Sequence, residues 1–310
     1  MFDTCRQYAR FVTLSHSVFA LPFALLGAFL AKAGGAARVS SPSSGQFVVE
    51  LALVIVAMVA ARSAAMAFNR IVDVRFDAAN PRTADRPMVT GRITKRQAWG
   101  FFATCAGVFF ATSAVFFAFD NAWPIALAVP VLAVLCGYSF AKRFTVWCHV
   151  WLGVSLGISP MAAWLAISPD TFGLVPVALG AAVTCWVAGF DILYALQDLA
   201  VDRRQGLRSI PATVGPVRAL WISRAMHIAS VAGLAAVGQL ARPRLGGLYG
   251  LAVAAATITL IIEQRLVRPN DFSRVNNAFF TCNGMVSLVL GGAGIVDVVL
   301  TGRGAGVSPG

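Results

Sequence analysis

The sequence predicts an all-α integral membrane protein, with nine transmembrane helices in a bundle around a central cavity and a cytoplasmic N-terminus. Three observations carry that prediction. The 310 residues are 58% hydrophobic and only 12% charged, about half the charge of a soluble domain. The apolar residues fall into runs close to the ~20 needed for one helical crossing. The remaining charges cluster between those runs, and mean hydropathy is +0.75.

The apolar runs place spans at roughly 15–34, 48–68, 97–118, 122–141, 147–167, 172–194, 217–240, 246–266 and 278–300. Backbone in lipid must satisfy its own hydrogen bonds, so each run is expected to be a helix. Pro124 and Pro130 predict a kink or a late start for the fourth. The first run is too long for a cleaved signal peptide and lacks an A-x-A-like site, so it is expected to be retained. No polar stretch exceeds about 30 residues, so residues 1–310 are expected to form a single domain. Residues 34–45, rich in Gly, Ser and Pro, are expected as an external loop, and 301–310 as a disordered tail.

Basic residues set the expected orientation. With the N-terminus inside, eighteen Lys and Arg fall in cytoplasmic segments and five, namely Lys32, Arg38, Arg242, Arg244 and Arg303, on the opposite face. That is a strong positive-inside bias. The net charge of +12 hugs the ends of the apolar runs rather than lining one polar face, which argues against nucleic acid as a partner. The six cysteines are scattered, without a C-x-x-C spacing, and read as small buried hydrophobes.

Carboxylates are rare, so their positions carry information. Six of the thirteen fall in two places, Asp73, Asp77 and Asp85 after the second span and Asp191, Asp198 and Asp202 at the end of the sixth. Charge at a membrane edge, continuing a helical pattern inward, points to function. Asn69, Asp73 and Asp77 are four residues apart, on one helical stripe, and Arg62 lies two turns earlier on it. Two carboxylates one turn apart repel by a few tenths of a kcal/mol, and a divalent ion between them relieves this. Hard oxygen ligands beside a phosphate suit Mg²⁺.

The second cluster repeats the pattern, with Asp191, Tyr194, Asp198 and Asp202 at three- and four-residue spacing. Two such pairs across one cavity would grip Mg²⁺ and a pyrophosphate. Arg82, Arg86, Lys142, Arg143 and Arg208 lie nearby in the sequence and would complete an anion clamp.

These residues resemble a known family. Asn69-x-x-x-Asp73-x-x-x-Asp77 followed by Asn80-Pro-Arg-Thr83-x-x-Arg86-Pro87 is similar to the first motif of the UbiA-type intramembrane prenyltransferases. Tyr194-Ala-x-Gln-Asp198-x-x-x-Asp202-x-x-x-Gly206-x-x-Ser209-Ile-Pro211 is similar to the second, and Tyr138-Ser-x-x-Lys142-Arg143-x-Thr145 to the turn between them. The wording is nearest to the bacterial 4-hydroxybenzoate-type polyprenyltransferases, a subset of which is linked to menaquinone made by the futalosine route.

The resemblance implies Mg-dependent transfer of a polyprenyl group from its pyrophosphate to the ring of a hydroxylated aromatic acid. The acid would be 4-hydroxybenzoate or 1,4-dihydroxy-6-naphthoate, in ubiquinone or menaquinone synthesis, at a bacterial inner membrane with the site facing the cytoplasm. It implies Mg²⁺ ligation by Asp73, Asp77, Asp198 and Asp202, assisted by Asn69. Arg82, Arg86, Lys142, Arg143 and Arg208 would hold pyrophosphate, and Arg62 the acceptor's carboxylate. Asp191 would stabilise the carbocation or, as an aspartate inside a span, pair with an arginine as a structural residue, and Tyr194 or Tyr138 would steer the cation.

A secondary transporter is the main alternative, since intramembrane charge occurs there too; against it, the acidic pairs sit at helix ends rather than the midplane. The lone histidines His16, His149 and His227 read as helix-interface residues. Gly153, Gly157, Gly291, Gly292 and Gly294 read as close helix contacts.

Overall fold

The computed structural model describes residues 19–35, 44–268, 275 and 278–304. His16, Cys5 and the first part of the expected first span lie outside them. The described chain is helical, with α1 Leu21–Gly35, α2 Ser44–Ala78, α3 Lys95–Val115, α4 Trp123–Phe144, α5 Cys148–Ile167 and α6 Leu174–Ala195. Two short helices follow, α7 Leu199–Arg204 and α8 Ile210–Val214, and then α9 Pro216–Leu240, α10 Gly247–Leu266 and α11 Asn283–Gly304. Among the described residues eight helices are long and apolar enough to cross a membrane, and α1 is apolar but shorter. Helix α11 continues to Gly304, past the expected end of the last span at 300.

Helix α2 explains how acidic residues belong to a membrane helix. Its 35 residues span about 52 Å at 1.5 Å per residue, far more than the ~30 Å hydrocarbon core. The apolar N-terminal two-thirds is long enough to cross that core, and the last three turns carry Asn69, Asp73 and Asp77 on the expected stripe. A turn through Gly91, whose φ is +75°, leads to α3. There Thr94 caps the helix by accepting the Gln97 N–H, and the Gln97 side chain accepts the Thr94 N–H in return. Helix α4 begins at Trp123, within a residue of the expected 122 and so without a late start, with Pro124 in its first turn and Pro130 inside it.

Helix α6 is the most buried of the spans and packs between α5 and α9. Small residues set its distance from α5. A Cβ on Gly157 would meet the Gly180 carbonyl, and one on Gly153 would meet the Thr184 carbonyl, so only glycine lets these backbones approach. Gly291 and Gly294 do the same against Pro22 and Leu26 of α1. Gly292 differs from expectation and faces open space, because the next position on a helix points about 100° away.

Polar groups tie the remaining spans. The Trp186 indole donates to Asn283 Oδ1 at 2.8 Å, and Asn283 Nδ2 donates to Glu263 at 2.6 Å, linking α6, α11 and α10. Asp297 of α11 accepts the Gly246 and Tyr249 N–H groups, each at 2.8 Å, and so satisfies two of the orphan donors that begin α10. His227 is buried between α9 and α10, beside Gln264 at 3.1 Å, as an interface residue should be. Side chains facing outward, such as Trp221, Ile228, Leu251 and Ile258, are exposed and apolar, as lipid contact requires.

Candidate active site

The loops that follow α2, α4 and α6 meet at one end of the bundle, around a cavity of about 270 Å³. Five aspartates line it, Asp73, Asp77, Asp191, Asp198 and Asp202, and six cations, Arg62, Arg70, Arg82, Arg86, Lys142 and Arg143. Both acidic motifs therefore face one space.

Four of the aspartates are each matched to a cation. Arg82 grips Asp198 in a fork, Nε to Oδ1 at 3.0 Å and Nη2 to Oδ2 at 2.6 Å. Burial pulls the Arg82 pKa down, but the hydrogen bond and charge of Asp198 outweigh it, leaving the value above its ordinary one. Arg86 meets Asp77 at 2.5 Å, Arg143 meets Asp73 at 2.9 Å and Lys142 meets Asp202 at 3.3 Å. Asn69 Nδ2 donates to Asp73 at 2.8 Å. Arg143 lies over the Phe76 and Phe140 rings, 4.9 Å from each centroid, which fixes its planar fork.

These pairs modify one expectation. Among the described residues no three carboxylate, His or Cys side chains converge as a ready-made metal site. Each of these aspartates turns to a cation, since opposite charges attract at close range. The donor set still fits a hard cation, since oxygen ligands from both motifs border the same cavity.

Other expected residues fall as follows. Tyr194 accepts a hydrogen bond from Arg82 Nη1 at 3.1 Å and lies under that guanidinium. Tyr138 lines the cavity, as does Asp191, whose carboxylate meets His149 Nδ1 at 2.6 Å. The helical stripe expected for the second motif is broken. Helix α6 ends at Ala195, a tighter turn covers Leu196–Asp198, and α7 resumes at Leu199. Asp198 and Asp202 nonetheless both stay buried against the cavity. Arg208 stands apart from these: its side chain is exposed, outside the cavity lining, and donates to the Phe144 carbonyl at 3.1 Å. That carbonyl ends α4 and lacks an intrahelical partner, so it draws the guanidinium. Asp85 is likewise exposed.

Three of the cavity's polar residues, among others, were given no site role from the sequence. Asn80 donates to Asp198 Oδ1 at 2.9 Å, and its place beside Pro81 and Arg82 was the available signal. Arg70 is 9% exposed and lines the cavity, and Gln205 lines it while donating to the Phe76 carbonyl at 3.2 Å.

A second, apolar chamber of about 420 Å³ adjoins the first between α2, α3, α4 and α5. Arg62, Met66, Asn69, Tyr138, Leu152 and Leu156 line both spaces and mark their junction. The Arg62 Nε is buried there without a hydrogen-bond partner, and among the described residues no carboxylate pairs with its guanidinium.

Residues 20–285 match the model of the UbiA prenyltransferase family. The chain belongs to this family. It is 30% identical over 242 residues, 78% of its own length and 80% of the other's, to a 4-hydroxybenzoate octaprenyltransferase of Methylococcus capsulatus. The apo structure of a UbiA homolog from Aeropyrum pernix superposes with a TM-score of 0.78 at 34% identity, covering 91% of this chain and 98% of that one. A UbiA homolog from Archaeoglobus fulgidus, solved with GPP and Mg²⁺, shares the fold, with a TM-score of 0.68 at 21% identity over 94% of this chain and 99% of that one. Membership makes this chain a membrane prenyltransferase and sets aside the transporter alternative.

Proposed function

We propose that the protein transfers a polyprenyl group from polyprenyl pyrophosphate to the ring of 4-hydroxybenzoate or 1,4-dihydroxy-6-naphthoate, in quinone synthesis at a bacterial inner membrane. The observation that carries this reading is the pairing of the two spaces. A charged cavity of pyrophosphate size opens into an apolar chamber suited to an isoprenoid chain, and Arg62 stands at the junction without a carboxylate partner. A substrate carboxylate would complete it. The clustering of basic residues at the site's end of the bundle supports a cytoplasmic entrance.

Charge explains why a divalent cation is needed. Five aspartates against six cations leave about one positive charge, too little for a pyrophosphate once the cations turn from carboxylates to phosphate oxygens. Asp73, Asp77, Asp198 and Asp202, with Asn69, would hold Mg²⁺, which supplies neutralisation of the leaving pyrophosphate. Arg82, Arg86, Lys142 and Arg143 would stabilise the charge that develops as the carbon–oxygen bond breaks. Tyr194 keeps Arg82 aimed. Tyr138, at the junction, would border the allylic carbon, and the apolar chamber excludes the water that would convert the cation to an alcohol.

The test is direct. Membranes containing the protein, given labelled geranyl pyrophosphate and Mg²⁺, are offered the two acids side by side. A prenylated acid is expected from one of them, and the ratio identifies the acceptor. No prenylation of either acid by correctly inserted protein would end the proposal.

A further inference from the structure

Asp191 differs from the other cavity aspartates. Each of those has a lysine or arginine within 3.3 Å, whereas among the described residues the only ionisable side chain paired with Asp191 is His149. His149, at the start of α5, is 0% exposed. Its Nδ1 meets Asp191 Oδ2 at 2.6 Å, and its Nε2 accepts the backbone N–H of Ile210 at 3.3 Å. With the Ile210 N–H at Nε2, Nδ1 is the nitrogen that donates a proton to Asp191. The carboxylate is thus held in place by a buried imidazole rather than by a guanidinium or an ammonium. Tyr138 and Lys142 of α4 are close enough to feel its charge, but the Lys142 ammonium is turned to Asp202.

We infer that Asp191 is the base that takes the proton from the acceptor ring, and that His149 is the residue that positions it. This rests on the function proposed above. When the C1–O bond of the prenyl pyrophosphate breaks, its electron pair leaves with the pyrophosphate. A ring π pair then forms the bond to C1, and the attacked ring carbon carries both the prenyl group and a hydrogen. That C–H bond must break, its electrons restoring the aromatic ring and its proton passing to a base. Asp73, Asp77, Asp198 and Asp202 suit this poorly, because each is already engaged by a guanidinium or an ammonium. Asp191 lines the same cavity as Arg62, Tyr138 and Phe190 and carries no such partner. Protonating its free oxygen leaves the His149 Nδ1–H···Oδ2 bond in place, and water takes the proton when product leaves.

The test uses 4-hydroxybenzoate deuterated at the ring carbons beside the hydroxyl, with geranyl pyrophosphate and Mg²⁺, on the full chain. The wild-type protein is expected to use labelled and unlabelled acid at nearly equal rates, because forming the cation limits turnover. Asp191→Asn is expected to lose about 100-fold or more in prenylated product, the worth of a general base. It should keep the KM for geranyl pyrophosphate, still release pyrophosphate with geraniol as the product, and use the deuterated acid more slowly. His149→Leu should move in the same direction, and His149→Gln, which keeps a donor, should recover part of the rate and of the isotope ratio. Asp191→Asn that prenylates at the wild-type rate would overturn the inference. So would parallel loss of pyrophosphate release and product in both Asp191→Asn and His149→Gln, which would assign the pair to the fold. An inactive wild-type protein would instead count against the function itself, so the two failures are distinguishable.

Discussion

Arg82 and Asp198, 116 residues apart in sequence, meet in a two-pronged ion pair with its shorter arm at 2.6 Å. This contact joins the loop after α2 to the turn after α6, and so brings the two acidic motifs to one cavity. Removing the arginine leaves a buried carboxylate whose remaining hydrogen-bond donor among the described residues is Asn80. Arg82→Ala is expected to lower stability by about 1–3 kcal/mol, the cost of losing a hydrogen bond to a charged group, and to raise the KM for geranyl pyrophosphate. Thermal unfolding in detergent and steady-state kinetics on the same preparation check both effects. An unchanged KM would show that Arg82 serves only the fold.

Arg62 makes a sharper distinction between substrates. Arg62→Ala is expected to raise the KM for the aromatic acid by about 10- to 150-fold, the worth of one charge-assisted hydrogen bond, and to leave that for geranyl pyrophosphate alone. Kinetics with each substrate varied in turn measure the split. Equal effects on both would place the guanidinium on the pyrophosphate instead.

The apolar chamber should select for chain length. Val131 lines it, and Val131→Trp adds bulk without touching the charged cavity. Turnover with long polyprenyl pyrophosphates should fall steeply, and turnover with geranyl pyrophosphate should change little. Competition between a short and a long donor in one reaction gives the ratio.

Close packing of α5 on α6 depends on Gly157. Gly157→Val would drive a branched side chain into the Gly180 carbonyl, and overpacking of this kind costs about 1–3 kcal/mol. The variant is expected to melt earlier in detergent, whereas Gly292→Val, facing open space, should melt like the wild type.

The membrane class, eight of the nine expected spans and the acidic motifs were legible in the sequence because each rests on local chemistry. Twenty apolar residues in a row need no partner to be read, and Asn69, Asp73 and Asp77 share a stripe whatever surrounds them. Contacts between distant segments were not legible. Arg208 sits among motif residues in sequence, yet the free carbonyl at the end of α4 draws it outward. His149 looked like an ordinary interface histidine, because only the fold brings Asp191 and Ile210 to its two nitrogens. The tightened turn at Leu196–Asp198 breaks a helical spacing that the residue pattern alone would continue.

Shared capture of one pyrophosphate by both motifs is tested most directly by calorimetric binding of the non-hydrolysable geranyl thiopyrophosphate with Mg²⁺. The proteins compared are the wild type, Asp73→Ala, Asp198→Ala and the double variant. The expected result is that either single substitution removes nearly all the binding that the double one removes, since groups acting on one ligand are not additive. Losses that simply add, or a single variant that binds as the wild type does, would contradict a common site.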